Sequence, residues 1–173
     1  METFIYPMVP TETAHYLYIL FFVLGLCGVG AMFLLMKKHW AIRAVVVAWG
    51  CVMLWASAMV YSDAKAVFHL TATELKIVRP FGDKVFARDI LKTDEARVIE
   101  LSEEPEYGLW YKTMGTGMQG FNTGRFVLQN KQRAFVFLTQ LSEPVVYIPT
   151  TERRVLLFSI QNPEEFIEAL QQK

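Results

Sequence analysis

The sequence contains little cysteine and little histidine, two residue types that build many functional sites. Its 173 residues include two cysteines and three histidines. Cys27 and Cys51 both lie in apolar stretches, which excludes a disulfide framework and a thiolate metal site. His15, His39 and His69 lie far apart and have no cysteine beside them, so the sequence predicts no bound metal.

Catalytic combinations of residues are also missing. No serine–histidine–aspartate or cysteine–histidine set suggests itself, because both cysteines lie in the apolar stretches. The carboxylates of residues 100–108, ELSEEPEYG, form an acidic run that is typical of a solvated loop. We therefore predict no catalytic residue and no cofactor, and we expect that the protein is not an enzyme.

Two long stretches lack charge entirely. Residues 16–36 and 44–61 contain no Asp, Glu, Lys or Arg. At about 1.5 Å per residue the first stretch spans about 30 Å, the thickness of the hydrocarbon core of a bilayer. Arg43 can extend its side chain to the interface, which lets the second helix begin before it. The sequence predicts two transmembrane helices, about 14–36 and 41–61, since the alternative, a buried helix pair, is hard to accommodate in so small a soluble domain.

The N-terminal tail lacks lysine and arginine, which argues against a cleavable signal peptide. The link between the two helices is segment 37–43, KKHWAIR, the most basic short segment of the chain. Basic residues in short loops tend to remain in the cytoplasm. We therefore predict a two-pass protein of the plasma (inner) membrane, with this loop in the cytoplasm. Both termini and the domain after the helices are then extracytoplasmic.

The rest of the chain, residues 63–173, is predicted to be one domain, and residues 1–62 are predicted to form the tail and the two helices. Short runs of alternating apolar residues, separated by turn residues, predict about seven or eight strands in that domain. The sequence NPEE at 162–165 then indicates the start of a helix. Three apolar residues follow at helical spacing, namely Phe166, Ala169 and Leu170.

A glycine-rich segment stands out in this domain. Residues 115–126 read GTGMQGFNTGRF, and the first six match the G-x-G-x-x-G pattern of dinucleotide-binding turns. Such a turn needs a helix directly after it, whose N-terminus binds the phosphates. Here the following residues alternate as a strand, so we predict no bound nucleotide. The glycines are instead expected to shape a loop or bulge with positive φ at one or more of them, and they are Gly115, Gly117, Gly120 and Gly124.

The order of three segments resembles that of bacterial pleckstrin-homology-like (PH-like) domain proteins. These segments are the glycine-rich GTGMQGFNTGRFVLQN, the strand VVYIPTT and the helix PEEFIEAL. The resemblance covers residues 66–173 and implies a small, partly open barrel without a fixed activity. The turn RPFGDK contains Asp83 beside Arg79 and Lys84, which disfavours a phosphoinositide site. The predicted fold class is a two-helix transmembrane hairpin plus a mostly-β PH-like barrel with a C-terminal α-helix.

Aromatic residues surround the glycine-rich segment. We predict that Trp110, Tyr111 and Phe121, together with Arg125, contact a partner or a lipid as an exposed rim. The alternative is that alternate residues of this strand fill the barrel core.

The predicted function is that of a non-enzymatic integral membrane protein whose PH-like domain is a protein-interaction or scaffold module, and the alternative is a lipid-binding or lipid-sensing module. Charge is nearly balanced from residue 62 onward, which argues against nucleic acid as a partner. The predicted partner is another membrane protein or a second copy of the chain. Small residues in the apolar stretches favour close helix packing, within the hairpin or with a partner, and they are Gly25, Cys27, Gly28, Ala31, Ala44, Ala48 and Ser57.

Overall fold

The computed structural model describes residues 3–9, 12–34, 40–139 and 144–172, with side chains described in these ranges except at 31–34 and 41–43. Lys37, Lys38 and His39 of the predicted cytoplasmic loop lie outside the described residues.

Two helices form a hairpin at the start of the chain, α1 (Glu12–Leu34) and α2 (Trp40–Ala64). Within them, Glu12–Gly30 and Ala44–Ala64 are long and apolar enough to cross a membrane, as judged by length and composition. Their positions agree with the two apolar helices that the uncharged stretches predict.

Glycine lets the two helices approach each other closely. A Cβ atom at Gly25 would lie 2.7 Å from Cγ of Leu54, and one at Gly28 would lie 2.9 Å from the Trp49 ring. Opposite them on α2 is Gly50, whose added Cβ would lie 3.2 Å from the Gly25 carbonyl oxygen. Small residues at a crossing point therefore hold the hairpin together.

Other members of the predicted small-residue set have different positions. The Ser57 hydroxyl donates a hydrogen bond of 2.7 Å to the Tyr18 carbonyl oxygen, which links the two helices. By contrast, Cys27, Ala44 and Ala48 are exposed, so the small residue of α2 at the crossing is Gly50 instead.

The strands of the described residues form two sheets. They are β1 (Phe4–Pro7), β2 (Val67–Leu70), β3 (Glu74–Val78), β4 (Lys84–Ala87), β5 (Arg97–Ile99), β6 (Leu109–Met118), β7 (Phe121–Leu128), β8 (Arg133–Leu138), β9 (Val145–Pro149) and β10 (Arg154–Phe158). The first sheet has the order β1-β2-β3-β4, and the second has the order β5-β9-β10-β8-β7-β6. All pairs are antiparallel except β8 with β10, which run parallel.

The N-terminal tail belongs to the first sheet. Strand β1 pairs with β2 so that Phe4 lies opposite Leu70 and Pro7 lies opposite Val67. The sequence-based division placed this tail with the helices, in residues 1–62. Its pairing shows that the tail and the β-domain lie at the same end of the helical hairpin.

A C-terminal helix, α3 (Pro163–Gln171), closes the space between the sheets. Phe166 and Leu170 are buried and Ala169 is partly buried, which confirms the predicted stripe. The Asn162 side chain makes no capping hydrogen bond and instead donates one to Glu165. Phe68, Phe121, Phe137 and Phe158 complete the core under the helix. The predicted class, two apolar helices before a mostly-β domain with a C-terminal helix, is confirmed.

Polar contacts fix the helical hairpin to one end of the β-domain. The Asp63 carboxylate accepts a hydrogen bond of 2.6 Å from the Arg79 guanidinium and another of 2.6 Å from the Thr123 hydroxyl. Nearby, a Cβ atom at Gly120 would lie 3.0 Å from Oγ1 of Thr13, at the start of α1. We call this end of the β-domain, marked by Thr13, Asp63 and Thr123, the proximal end, and the opposite end the distal end.

Candidate functional site

A groove of about 470 Å³ opens between the two sheets. Strand β4 is the last strand of the first sheet, and β6 is the last strand of the second. Both strands border the groove, β4 through Lys84 and Phe86, and β6 through Tyr111 and Thr113. The groove is therefore flanked by two sheet edges that pair with no further strand among the described residues.

Three rows of inward-facing residues cross strands β7, β8 and β10. Side chains alternate between the faces of each strand, and the register of the strands aligns the rows. Counted from the proximal end outward, the rows are Thr123–Phe137–Phe158, Arg125–Phe135–Leu156 and Val127–Arg133–Arg154. The first row belongs to the core, whereas the second and third line the groove.

The polarity of these rows changes from one end to the other. The first row is buried, and its Thr123 hydroxyl bonds to Asp63. In the outer row, Arg133 and Arg154 are direct neighbours on the parallel strands β8 and β10, and both are exposed. Like charges directly opposite each other in a sheet are destabilising. An anion bound between these two guanidinium groups would relieve that repulsion.

Basic side chains outnumber acidic ones in the groove. The four cationic lining residues are Lys84, Arg125, Arg133 and Arg154, and the carboxylate among the lining residues is Glu152. Its nearest oxygen lies 3.7 Å from the Arg154 guanidinium, in a pair of which both side chains are more than half exposed. A pair of this kind contributes little. The groove therefore keeps a net positive charge.

Aromatic rings form the floor of the groove. The rings of Phe86 and Phe135 pack against each other between the two sheets, tilted by 58° and with centroids 5.5 Å apart. Phe135 also contacts Phe137 of the core at 5.5 Å. Both Phe86 and Phe135 remain partly exposed. The groove thus combines an apolar floor with a basic rim.

Tyr111 on β6 lines the groove, and Trp110 precedes it on the same strand. Trp110 is 55% exposed and Tyr111 is 49% exposed, and their ring centroids are 5.0 Å apart in an edge-to-face arrangement. The register of β6 against β7 shifts between Leu109 and Tyr111. Such a bulge interrupts the alternation of faces. Neither ring fills the barrel core, which excludes the alternative interpretation for these two residues.

Phe121 has the opposite position from the one predicted. Its side chain is 0% exposed and packs in the core, because it lies on the inward face of β7. It is therefore not available to a partner. Arg125, four residues along the same strand, is exposed and lines the groove.

The predicted glycine loop is part of a long twisted hairpin. Gly115 lies on β6 directly opposite Gly124 on β7, with φ values of +120° and +114°. A Cβ atom at either position would overlap the backbone of the other strand. Positive φ is thus confirmed at Gly115 and Gly124, and also at Gly120 in the turn, while Gly117 lies within β6 without it. Glycine here lets two strands approach each other rather than binding phosphate.

The exposed aromatic pair lies toward the distal end. Tyr111 is opposite Val127 on β7, four residues beyond Thr123, which bonds to Asp63 at the end of α2. At about 3.3 Å per residue, this separation along the strand is about 13 Å. The aromatic pair and the two neighbouring arginines therefore lie away from the helices.

A further cation, Arg97, lies on the other face of the second sheet and has a carboxylate partner. Its guanidinium donates hydrogen bonds of 2.6 and 3.0 Å to the Glu104 carboxylate. It also lies 5.7 Å from the Tyr107 ring centroid and 5.5 Å from that of Tyr147. Burial, together with the neighbouring Tyr107, raises the pKa of Tyr147 to about 12. The charge of Arg97 is thus paired with that of Glu104, so this cluster contributes to the stability of the sheet rather than to binding an anion.

Most of the residues that line the groove were absent from the sequence-based site. The polar segment 130–133, NKQR, is typical of a hairpin connection, yet its last residue, Arg133, is the first residue of β8. A signal does exist, since Arg133 and Phe135 on one strand, like Arg154 and Leu156 on another, place a cation two residues before an apolar residue. Within the described residues, no three His, Cys, Asp or Glu side chains gather as a possible metal site.

Comparison with known protein families places most of the β-domain in a described family. The family model described as "Bacterial PH domain" matches residues 67–173, which is more than half of the chain. Searches of curated proteins and of solved structures give no match.

Proposed function

Because the chain belongs to the bacterial PH domain family, we propose that its β-domain is a non-enzymatic protein-interaction module held at a membrane surface by the helical hairpin. The partner is another membrane protein or a second copy of the chain. The matched region begins at the second strand and includes every residue that lines the groove.

One observation carries this proposal, namely that two unpaired sheet edges border the same groove. An exposed edge presents backbone donors and acceptors that a strand from another chain can pair with. On the β6 edge, Trp110 and Tyr111 form an exposed aromatic pair. Tryptophan and tyrosine are enriched among the residues that dominate binding energy at protein interfaces.

The helices support attachment to a membrane. Both are long and apolar enough to span one, and the β1–β2 pairing requires the tail and the β-domain to lie on the same side of it. A two-pass hairpin meets that requirement. We propose that loop 37–43 is cytoplasmic and that the β-domain is extracytoplasmic. Alkaline phosphatase fused after Lys173 is expected to be active, whereas an inactive fusion with an active cytoplasmic reporter at that site would reverse the orientation.

Lipid binding is the second candidate, and the four basic side chains of the groove favour it. Their location weighs against a lipid of the membrane that holds the helices, because the outer row lies toward the distal end. Flotation of the full-length protein with vesicles would not test lipid binding by the groove, since the helices themselves partition into lipid.

The interaction proposal is tested by affinity purification of the full-length chain in mild detergent. We expect a second protein in stoichiometric amount, and its loss when Trp110 and Tyr111 are both changed to alanine. The matched control is Phe81→Ala, which removes an aromatic side chain of similar exposure (53%) outside the groove. Recovery of the chain alone at several detergent strengths would contradict the proposal, and so would equal losses from both variants.

A further inference from the structure

We infer that the groove between β4 and β6 binds an extended, acidic segment of a partner protein, with carboxylates at alternate positions facing the basic rows. The inference rests on the proposed function and specifies the chemistry of the partner. It follows from the charge, the spacing and the unpaired edges of the groove.

Charge defines the sign of the ligand. Lys84 on β4 lies on one side of the groove, and Arg125, Arg133 and Arg154 lie on the other, with Glu152 as the carboxylate of the lining. Two arginines elsewhere in the molecule each have a carboxylate partner at 2.6 Å, Arg79 with Asp63 and Arg97 with Glu104. In the groove lining, four cations lie together with one carboxylate, so the groove suits an anion.

Spacing defines the shape of the ligand. The basic residues occupy two adjacent rows, with Arg125 in one and the pair Arg133 and Arg154 in the next. These rows are two residues apart along the strands, which is about 6.6 Å. Side chains on one face of an extended chain have this same separation. A strand with acidic residues at i and i+2 can therefore place one carboxylate at each row.

The edges and the floor favour a polypeptide over a small anion. Strand β6 presents an edge that pairs with no strand among the described residues, and so does β4. Backbone groups of an added segment can bond to such an edge. The partly exposed rings of Phe86 and Phe135 offer an apolar surface that a phosphate ion would not use.

The test measures binding of synthetic peptides to the full-length protein in detergent. The probe is a blocked peptide of alternating Glu and Val, and the comparison peptides are alternating Lys and Val, and a Glu block followed by a Val block. We expect the alternating Glu peptide to bind most tightly. Changing Arg133 and Arg154 to Gln should weaken it about tenfold or more (about 1.4 kcal/mol), because the peptide loses its charge-assisted hydrogen bonds to both guanidinium groups.

The matched control neutralises two other cations at the same end of the domain. Lys131 and Arg153 lie in the neighbouring turns, outside the groove, with φ values of +67° and +57°. Asparagine tolerates such φ values, so Lys131→Asn with Arg153→Asn should preserve the fold. This variant is expected to change peptide affinity less than threefold (about 0.65 kcal/mol). Thermal melting of each variant verifies that it is folded.

Three results would overturn the inference. One is equal affinity of the alternating Glu and Lys peptides, and another is equal loss of affinity in both double variants. The third is binding of inorganic phosphate, or of glycerol phosphate as a soluble acidic lipid headgroup, at this groove without binding of the peptide. If the arginine variant retains the protein partner that the Trp110 and Tyr111 variant loses, the inference of an acidic segment is wrong, but the proposed interaction function stands. If neither groove variant alters recovery of a partner, the proposed function itself fails.

Discussion

Charged side chains are partly buried and bonded to each other at the proximal end of the β-domain, whereas at the distal end like charges lie exposed side by side. At the proximal end, Asp63 bonds to both Arg79 and Thr123, and the side chains of the ion pair are only 15% and 16% exposed. At the distal end, Arg133 and Arg154 lie side by side on neighbouring strands and are exposed. The first arrangement holds the domain to the helices. The second leaves charge available for another molecule.

The largest loss of stability is expected from a change at Gly124, which lies between the two ends where β6 and β7 approach each other closely. Changing Gly124 to Ala places a Cβ atom against the Met114 carbonyl group, at a φ that disfavours any side chain. We expect a loss of about 3 kcal/mol of unfolding free energy, measured by chemical denaturation in detergent. Gly82→Ala is the control, because Gly82 has φ +97° but open space around it, and it should cost about 1 kcal/mol. Equal losses would show that the strand approach contributes nothing.

Breaking the proximal charge cluster should have the next largest effect. Asp63→Ala leaves the partly buried Arg79 guanidinium without its carboxylate, and we expect a loss of about 2–3 kcal/mol. Asp83→Ala removes the carboxylate of an exposed pair with Lys76 and should leave the melting temperature close to that of the unchanged protein. If both variants melt alike, Asp63 does not anchor the helices to the domain.

Tyr147, which lies beside Arg97 on the other face of the second sheet, gives a test that depends on pH. Because the pKa of Tyr147 is raised to about 12, the folded state keeps this proton at pH values where the unfolded state, with its ordinary pKa of 10.0, has lost it. This contribution to stability is complete below about pH 10 and is lost as the pH rises from 10 toward 12. Tyr147→Phe should therefore flatten the decline of melting temperature above pH 10. An unchanged decline would exclude Tyr147 as its source.

The smallest effect should have the opposite sign. Arg154→Gln removes one of two adjacent like charges, so we expect stability to rise by a few tenths of a kcal/mol while binding of the acidic peptide falls. Denaturation and peptide titration of the same preparation measure both quantities. A loss of stability like that of Asp63→Ala would mean that Arg154 is structural and that the two ends do not differ.

Local patterns in the sequence predicted much of the fold. Two of the predicted strand runs, RFVLQ (125–129) and AFVFLT (134–139), correspond to β7 and β8, and the spacing of Phe166 and Leu170 corresponds to the buried face of α3. The uncharged stretches correspond to α1 and α2. In each case the signal and the structure lie in the same short segment.

The parts that were not predicted depend on contacts between distant segments. Strand β1 forms because it pairs with β2, which follows both helices. Arg133 and Arg154 become neighbours only through the parallel register of β8 and β10, which no single segment encodes. The bulge in β6 interrupts the alternation that would have separated the exposed Trp110 from its neighbour Tyr111, and the inward face of β7 buries Phe121.

The central claim is that the groove between β4 and β6 is where a protein partner binds. It is tested most directly in cells by placing a photo-crosslinking amino acid at Tyr111, which lines the groove, or at Phe81, which lies outside it and is similarly exposed. The account predicts a crosslinked product of defined mass from position 111, with position 81 giving little of it. A product from position 81 alone, or equal yields from both positions, would contradict it.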